Sequence, residues 1–216
     1  MLAVDSMSRM YRKAMVLATV VALAVLSSPG TAAPAQKVVV FLGDSLTAGY
    51  GLPADQAFPS LLERKLREGG TPVRVLNAGV SGDTSAGALR RLPWVLRQRP
   101  DVVVVELGAN DALRGQPTTG IEANLRSILE QCRDAGAKVL LVGMQVPTSY
   151  GPEYAGQFAA LYPRLAKSLG VPLVPFLLEG VPGRPSLNLE DGIHPNAEGQ
   201  KIVAANVLPH LSGLLR

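Results

Sequence analysis

Cysteine is almost absent from this chain: Cys132 is the only one in 216 residues. No intrachain disulfide can form, and no cysteine cluster can hold a metal. Histidine is nearly as scarce, with only His194 and His210, so any chemistry that needs an imidazole has two candidates. Charged residues are 18% of the chain, below the share of about 25% usual in soluble domains. The 21 basic residues outnumber the 17 acidic ones only slightly, which gives no electrostatic case for a nucleic-acid partner. The main apolar run, residues 14–26, is broken only by Thr19. It falls short of the roughly 20 residues that span a bilayer, so no stable membrane anchor is expected. The pattern G-x-S-x-G is missing, as are the phosphate-binding P-loop and the dinucleotide glycine fingerprint. Nucleotide chemistry is thereby excluded, and neither a cofactor nor a metal is expected.

What is present is globular. Apolar residues make up 47%, and 22 glycines with 17 prolines fall below the level of disordered chains. The length suits one domain with a single core. Ahead of it, Arg9, Arg12 and Lys13 precede the apolar run, and Ser27, Ser28, Pro29 and Gly30 break it. Basic, apolar, breaker is the order of a secretory signal. Ala33-Pro34-Ala35 has the small-x-small form, which predicts a mature chain starting near Gln36. No cysteine follows the run closely, so lipid attachment there is excluded. The reading is a signal peptide at 1–35 and one domain at 36–216; losing Arg9, Arg12, Lys13 and Asp5 leaves 18 basic against 16 acidic residues.

Beyond residue 36, strand and helix patterns alternate. Residues 37–42, 73–76, 101–107, 138–142 and, more weakly, 171–176 are continuous apolar runs, the pattern of parallel strands covered on both faces. Between them lie stripes at helical spacing: Phe58, Leu61, Leu62 and Leu66; Ile121, Leu125, Ile128, Leu129 and Cys132; Phe158, Leu161, Tyr162, Leu165 and Leu169. Residues 83–98 also read as helical, with Pro93 expected to break or kink them. A last helix is expected to open at Pro195 and to be disturbed by Pro209. Five strands joined by helices make an α/β protein, a three-layer α/β/α domain around a five-stranded parallel sheet.

Ligands of such sheets gather beyond the carboxyl ends of the strands. Strand one is followed by Gly43-Asp44-Ser45-Leu46, which can present the Ser45 hydroxyl at the mouth of a turn or simply cap a helix. Strand two is followed by Ser81-Gly82-Asp83-Thr84-Ser85, either a loop aiming backbone N–H groups inward or an ordinary turn. Strand three is followed by Gly108-Ala109-Asn110-Asp111, where the Asn110 amide can reach a cleft or form a turn. Late in the chain comes Asp191-Gly192-Ile193-His194-Pro195. His194 follows a carboxylate by three residues, so one turn can supply a base and the acid that orients it, although Asp191 could equally cap the last helix. His210 sits near the chain's end and reads as a surface histidine. Arg90, Arg91, Arg97 and Arg99 around Trp94 read as a solvated helix face, and Asp44 as a residue that orders the turn around Ser45.

These four segments, in this order on these loops, resemble the SGNH, or GDSL-type, hydrolases, and within them the small secreted bacterial esterases. The resemblance spans nearly all of residues 36–216. It implies a flavodoxin-like SGNH hydrolase fold and a serine esterase that acts on acyl esters, such as aryl esters and lysophospholipids or acyl thioesters, through an acyl-serine. It implies Ser45 as nucleophile, His194 as base and Asp191 as its partner, with the Ser45 N–H, the Gly82 N–H and the Asn110 side chain as oxyanion donors. Residues 144–151 look shorter than their counterpart in related members of the family, a loop that borders the acyl site there. The expected partner is a small ester or thioester, and the expected state a monomer. A carbohydrate acetylesterase on the same fold, and a non-catalytic flavodoxin-like protein that binds phosphate at strand one, are the competing readings.

Overall fold

The computed structural model describes residues 36–216; the expected signal peptide lies outside them. Five parallel strands form one sheet: β1 (Lys37–Gly43), β2 (Val73–Gly79), β3 (Val102–Glu106), β4 (Lys138–Val142) and β5 (Leu173–Val174), in the order β2-β1-β3-β4-β5. Every residue of β3 is buried, as are Val39 to Gly43 of β1, which is why both strands are apolar on both faces. Burying each such valine or leucine contributes about 1.5–3 kcal/mol, so the central strands are a main source of stability.

The helices that cover the sheet are α2 (Phe58–Glu68), α3 (Ser85–Leu96), α5 (Thr118–Asp134), α6 (Pro152–Leu169) and α7 (Ala197–Leu215); α1 (Ser45–Ala48) and α4 (Ala109–Leu113) are single turns beyond β1 and β3. One layer packs α3 on α5 and α5 on α6, and the other packs α2 on α7. The stripes read from the sequence are the buried faces: Phe58 meets Phe41 edge-on at 5.5 Å, and Phe158 meets Tyr162 at 5.4 Å. Cys132 is buried with its stripe, and burial pushes its thiol up to about 12, so it is an inert core residue. Among the described residues no helix is long and apolar enough to cross a membrane.

Four expectations need correction. Pro93 does not break α3, and Pro209 does not end α7. In both helices buried residues on either side, Leu92 and Val95 or Val207 and Leu211, hold the turn on the core and offset the lost hydrogen bond. The last helix opens two residues later than Pro195, with Asn196 as its cap: the Asn196 Oδ1 accepts from Glu198 N at 3.0 Å and Gly199 N at 3.1 Å. Pro195 instead bridges Asn188 in antiparallel fashion. Strand β5 is only two residues, because Pro172 and Pro175 on its flanks have no N–H to pair.

The register sets the site. Gly43 lies opposite Gly79 on one side and Glu106 on the other, so β1, β2 and β3 end on one line and their loops leave the sheet together. At that line the backbone of α1 rests on β2, with Asn77 Nδ2 donating to Thr47 O at 2.8 Å, and the chain leaving β2 stays tied to the end of β1 by Val80 N donating to Gly43 O at 3.0 Å. A Cβ on Gly79 would stand 2.7 Å from Ala48 Cα and closer still to its nitrogen. No side-chain motion relieves that clash, since the obstacle is backbone. Gly79→Ala is therefore expected to destabilise the fold by about 1–3 kcal/mol, read as a lower urea midpoint, whereas Gly156→Ala, in α6 with helical φ and open space at its Cβ, does not lower it.

Candidate active site

Asp44 directly follows the first strand and caps α1, its Oδ1 accepting from Leu46 N at 3.0 Å. Ser45 is then the first residue of a four-residue helix, so its own N–H belongs to the free donors of a helix start. Both readings of this loop, cap and presented serine, hold at once, on adjacent residues. The turn before α7 is closed by Leu189 N donating to His194 O at 2.7 Å and Gly192 N to Leu189 O at 2.9 Å, with Gly192 at φ +70°. That turn curls Asp191 back onto His194. Asp191 Oδ1 accepts from Ile193 N and His194 N, each at 2.9 Å, and Oδ2 meets the ring Nδ1 at 2.7 Å. Asp191 does not cap the last helix, a role Asn196 takes.

The other ring nitrogen, His194 Nε2, lies 2.9 Å from Ser45 Oγ. Asp191 is little buried; burial acts to raise its pKa, but the backbone and ring N–H groups of His194 and the Ile193 N–H outweigh it and bring the carboxyl down to about 2. An ionised Asp191 can only accept, so Nδ1 carries the proton and Nε2 is left to accept from the serine hydroxyl.

Gly82, at φ +77°, and Asn110, in α4, line the same cleft as Ser45 and His194. Asn110 Nδ2 donates to Asp44 Oδ2 at 3.0 Å, and Arg114 fixes the Gly82 carbonyl at 3.0 Å. Thus all five residues singled out in the sequence, Ser45, Gly82, Asn110, Asp191 and His194, come together. His210 lies within α7 and does not line the cleft. The cleft has a volume of about 400 Å³, and its walls carry Tyr50, Leu113, Met144, Val146, Leu178 and Ile193. Three residues matter here that the sequence reading did not assign to the site. Tyr50 lies against the His194 ring, centroids 4.5 Å apart. Asp44 does more than order a turn, because it also holds Asn110. Glu106, at the end of β3, is buried beneath both, its Oε2 accepting from Thr47 Oγ1 at 2.8 Å and Asp44 N at 3.3 Å. The arginine cluster is corrected too: Arg91 is no solvated residue but binds Asp83 Oδ2 at 2.7 Å and the Ala78 and Gly43 carbonyls at 2.7 and 3.0 Å.

Comparison with known proteins agrees with this geometry. Residues 41–202 match the GDSL-like Lipase/Acylhydrolase family. An arylesterase of Vibrio mimicus is 43% identical over 83% of this chain and 92% of its own length. Esterase TesA of Pseudomonas aeruginosa is 42% identical over 94% of this chain and 100% of its own. Thioesterase 1/protease 1/lysophospholipase L1 of Escherichia coli K12 is 44% identical over 80% of this chain and 82% of its own. Among solved structures, a crystal structure of TesA superposes with a TM-score of 0.79 at 44% identity, covering 83% of this chain and 99% of that one. AlinE4, an SGNH-hydrolase family esterase, superposes with a TM-score of 0.71 at 39% identity, covering 86% and 100%. The chain belongs to the GDSL-like lipase/acylhydrolase family, of SGNH hydrolase fold. It is a carboxylic ester hydrolase, and the non-catalytic phosphate-binding reading falls away.

The depressed Asp191 carboxyl has a measurable consequence. Its stabilisation is present above the ordinary aspartate range and is lost as pH falls through about 2. An NMR titration of the Asp191 side-chain carboxyl is expected to show a midpoint near 2; a midpoint at the ordinary aspartate value would mean that the Asp191–His194 turn is open in solution.

Proposed function

We propose that Ser45 is the nucleophile, His194 the general base and Asp191 the acid that orients it, in the hydrolysis of acyl esters through an acyl-serine. The supporting observation is the continuous line from Ser45 Oγ to His194 at 2.9 Å and from His194 to Asp191 at 2.7 Å, opening into a cleft with apolar walls. His194 Nε2 takes the hydroxyl proton as Ser45 Oγ attacks the carbonyl carbon, then gives that proton to the departing alcohol or thiol. Water repeats the sequence in reverse and frees the acid. The negative oxygen formed in each half would be met by the Ser45 N–H, the Gly82 N–H and the Asn110 amide, which reach it from the loops after β1, β2 and β3. Asp191 stays ionised throughout and stabilises the imidazolium.

For substrates we propose aryl esters, lysophospholipids and acyl thioesters. Tyr50, Leu113, Val146 and Ile193 suit an acyl chain and give a sugar few hydrogen bonds, which favours these over the carbohydrate acetylesterase reading. The relatives' names, arylesterase and thioesterase 1/lysophospholipase L1, point the same way. We further propose that residues 1–35 are a signal peptide and that residues 36–216 act in the periplasm or outside the cell. The basis is the basic-apolar-breaker order of that segment.

Labelling by a fluorophosphonate tests the central proposal without knowledge of the substrate. Wild type and His210→Ala are expected to label and to hydrolyse p-nitrophenyl esters alike, while Ser45→Ala and His194→Ala fold but do neither. Asn110→Ala is expected to label slowly and to lose about 10²–10³-fold in kcat with KM nearly unchanged. Wild-type turnover in Ser45→Ala would assign the chemistry to another residue. A destabilised but kinetically normal Asn110→Ala would reduce that residue to a turn former. Export makes a separate prediction: the intact mass of protein recovered from the periplasm corresponds to a start near Gln36, and a mass that retains Met1 to Ala35 would refute the signal peptide.

A further inference from the structure

Two acidic side chains are buried directly behind the cleft. Asp44 is 1% exposed and Glu106 is fully buried, both at the line where β1 and β3 end. Their surroundings differ. The Asp44 carboxylate accepts from Leu46 N at 3.0 Å and from Asn110 Nδ2 at 3.0 Å, so each oxygen has a donor. Both donors to Glu106, Thr47 Oγ1 and Asp44 N, reach the same oxygen, Oε2. Its Oε1 is buried and, among the described residues, has no partner that could neutralise it. An ionised Glu106 would leave half of a carboxylate bare in the core, next to a second negative charge. Either condition alone is costly in so dry a place.

We propose that Glu106 is a neutral, protonated acid that donates its proton as a hydrogen bond to the Asp44 carboxylate, and that Asp44, kept as the pair's only anion, is the positioning residue that orients the Asn110 amide toward the oxyanion. This deepens the function proposed above and rests on Asn110 having that role. The bonds that carry the proposal are few. An ionised Asp44 can only accept, so it selects the NH₂ arm of Asn110 and forbids the flipped amide, which would bring the carbonyl oxygen against a carboxylate. With one N–H tied to Asp44, the second is held in place before any substrate arrives.

The groups around the pair agree with one shared charge. His194 faces Asp44 from the turn before α7, and Arg91 of α3 places its guanidinium on the carbonyl of neighbouring Gly43. Tyr162 of α6 spends its hydroxyl on Leu107 O at 2.9 Å, and Asp111 of α4 is bound to Ser85. Burial and the Asp44 charge drive Glu106 well above the usual carboxylate range. Asp44 is raised by burial only to about 6, because Leu46, Glu106, Asn110 and His194 all favour its ionised form. Gly43 is part of the same device: a Cβ there would lie 2.7 Å from Glu106 Oε2 and collide with Thr47 Oγ1.

The purified wild-type chain, with glutamate ¹³C-labelled at the side-chain carboxyl, provides the first test. At slightly alkaline pH its infrared spectrum is expected to keep a protonated-carboxyl carbonyl band, which Glu106→Gln lacks; a spectrum without that band overturns the proposal even if no variant folds. Thermal stability gives a second readout independent of activity. Folded Glu106 holds a proton that the unfolded chain releases, so its contribution is full below the ordinary glutamate range and drains away as pH rises. Asp44 shifts in the same sense, so wild type must be compared with Glu106→Gln, which removes only the Glu106 share: wild type is expected to lose stability relative to the variant as pH rises, and parallel curves overturn the proposal. In kinetics, Glu106→Gln, a neutral donor of the same shape, is expected to keep kcat within about threefold, while Asp44→Asn loses about 30-fold in kcat with little change in KM. A loss in Glu106→Gln equal to that in Asp44→Asn, or none in Asp44→Asn, overturns it. Failure of the nucleophile assignment would show instead as persistent labelling of Ser45→Ala, with the infrared band unchanged.

Discussion

The parallel register that puts Gly43 between Gly79 and Glu106 is the constraint on which the active site hangs. A strand advances about 3.3 Å per residue and turns its side chains over at each step. A one-residue slip of β1 would therefore move Ser45 by more than its 2.9 Å reach to His194 and also invert the core face of the strand. Val39 to Leu42 are buried on both faces, so the slip is blocked less by their pattern than by the strand ends, where no Cβ fits at Gly43 beside Thr47 and Glu106 or at Gly79 beside Ala48. Glycine at the two strand ends lets α1 lie against β2 and leaves room for Thr47 to meet Glu106. His194 arrives from 149 residues away, and its half of the contact is fixed separately, by the Asn188–Pro195 bridge and the cap on α7. The Ser45–His194 distance is thus the meeting of two frames, one fixed by the ends of the sheet and the other by hydrogen bonds within the 188–196 turn.

Three carboxylates near the cleft are put to different ends by their surroundings. Asp191 keeps some access to water and collects three N–H groups, which favour its ionised form and hold the carboxyl down at about 2. Asp44 and Glu106 have no such access. Their charge state is settled by counting donors: each Asp44 oxygen is served, and Glu106 leaves one oxygen without a partner. A site that must stabilise a transient negative oxygen cannot tolerate many permanent negative charges beside it, so neutralising one of a buried pair fits the chemistry of the cleft.

β1, β3 and β4 were legible because both their faces are largely buried, and the helical stripes because one face is; β2 reads the same way over Val73 to Leu76 although it is an edge strand with Arg74 and Asn77 exposed. The prolines misled for a physical reason. Propensity places Pro93 and Pro209 against a helix, yet Leu92, Val95, Val207 and Leu211 bury on either side of them and win the local contest. β5 failed to reach its expected length for the opposite reason, since two prolines remove the ladder donors that apolar character alone does not supply. In the site, Ser45, Asp191 and His194 were legible from spacing and scarcity, and Gly82 and Asn110 through the company they keep. Tyr50 was not, because an aromatic between two glycines reads as loop; its place on the His194 ring depends on a fold-level contact. Glu106 did leave a signal. An acidic residue closing the run Val102-Val103-Val104-Val105 and followed by Leu107 has no solvent face to turn to, and a carboxylate in such a run is a buried one.

The residues that would do the chemistry and those that would grip the substrate come from different places. The proposed nucleophile, base and oxyanion donors sit at strand ends and a capped turn, where hydrogen bonds fix them. The apolar walls come from Leu113, Val146, Leu178 and Ile193, on the segments beyond β3, β4 and β5 and on the 188–195 turn. Contacts to an acyl chain change little between the bound ester and the tetrahedral intermediate, so they set KM far more than kcat. Contacts to the oxyanion do the reverse. On the proposed mechanism, side chains on the walls could therefore vary widely, shifting which acyl group is held, while turnover would stay anchored in the glycines, the Asp44–Asn110 bond and the Ser45–His194–Asp191 line.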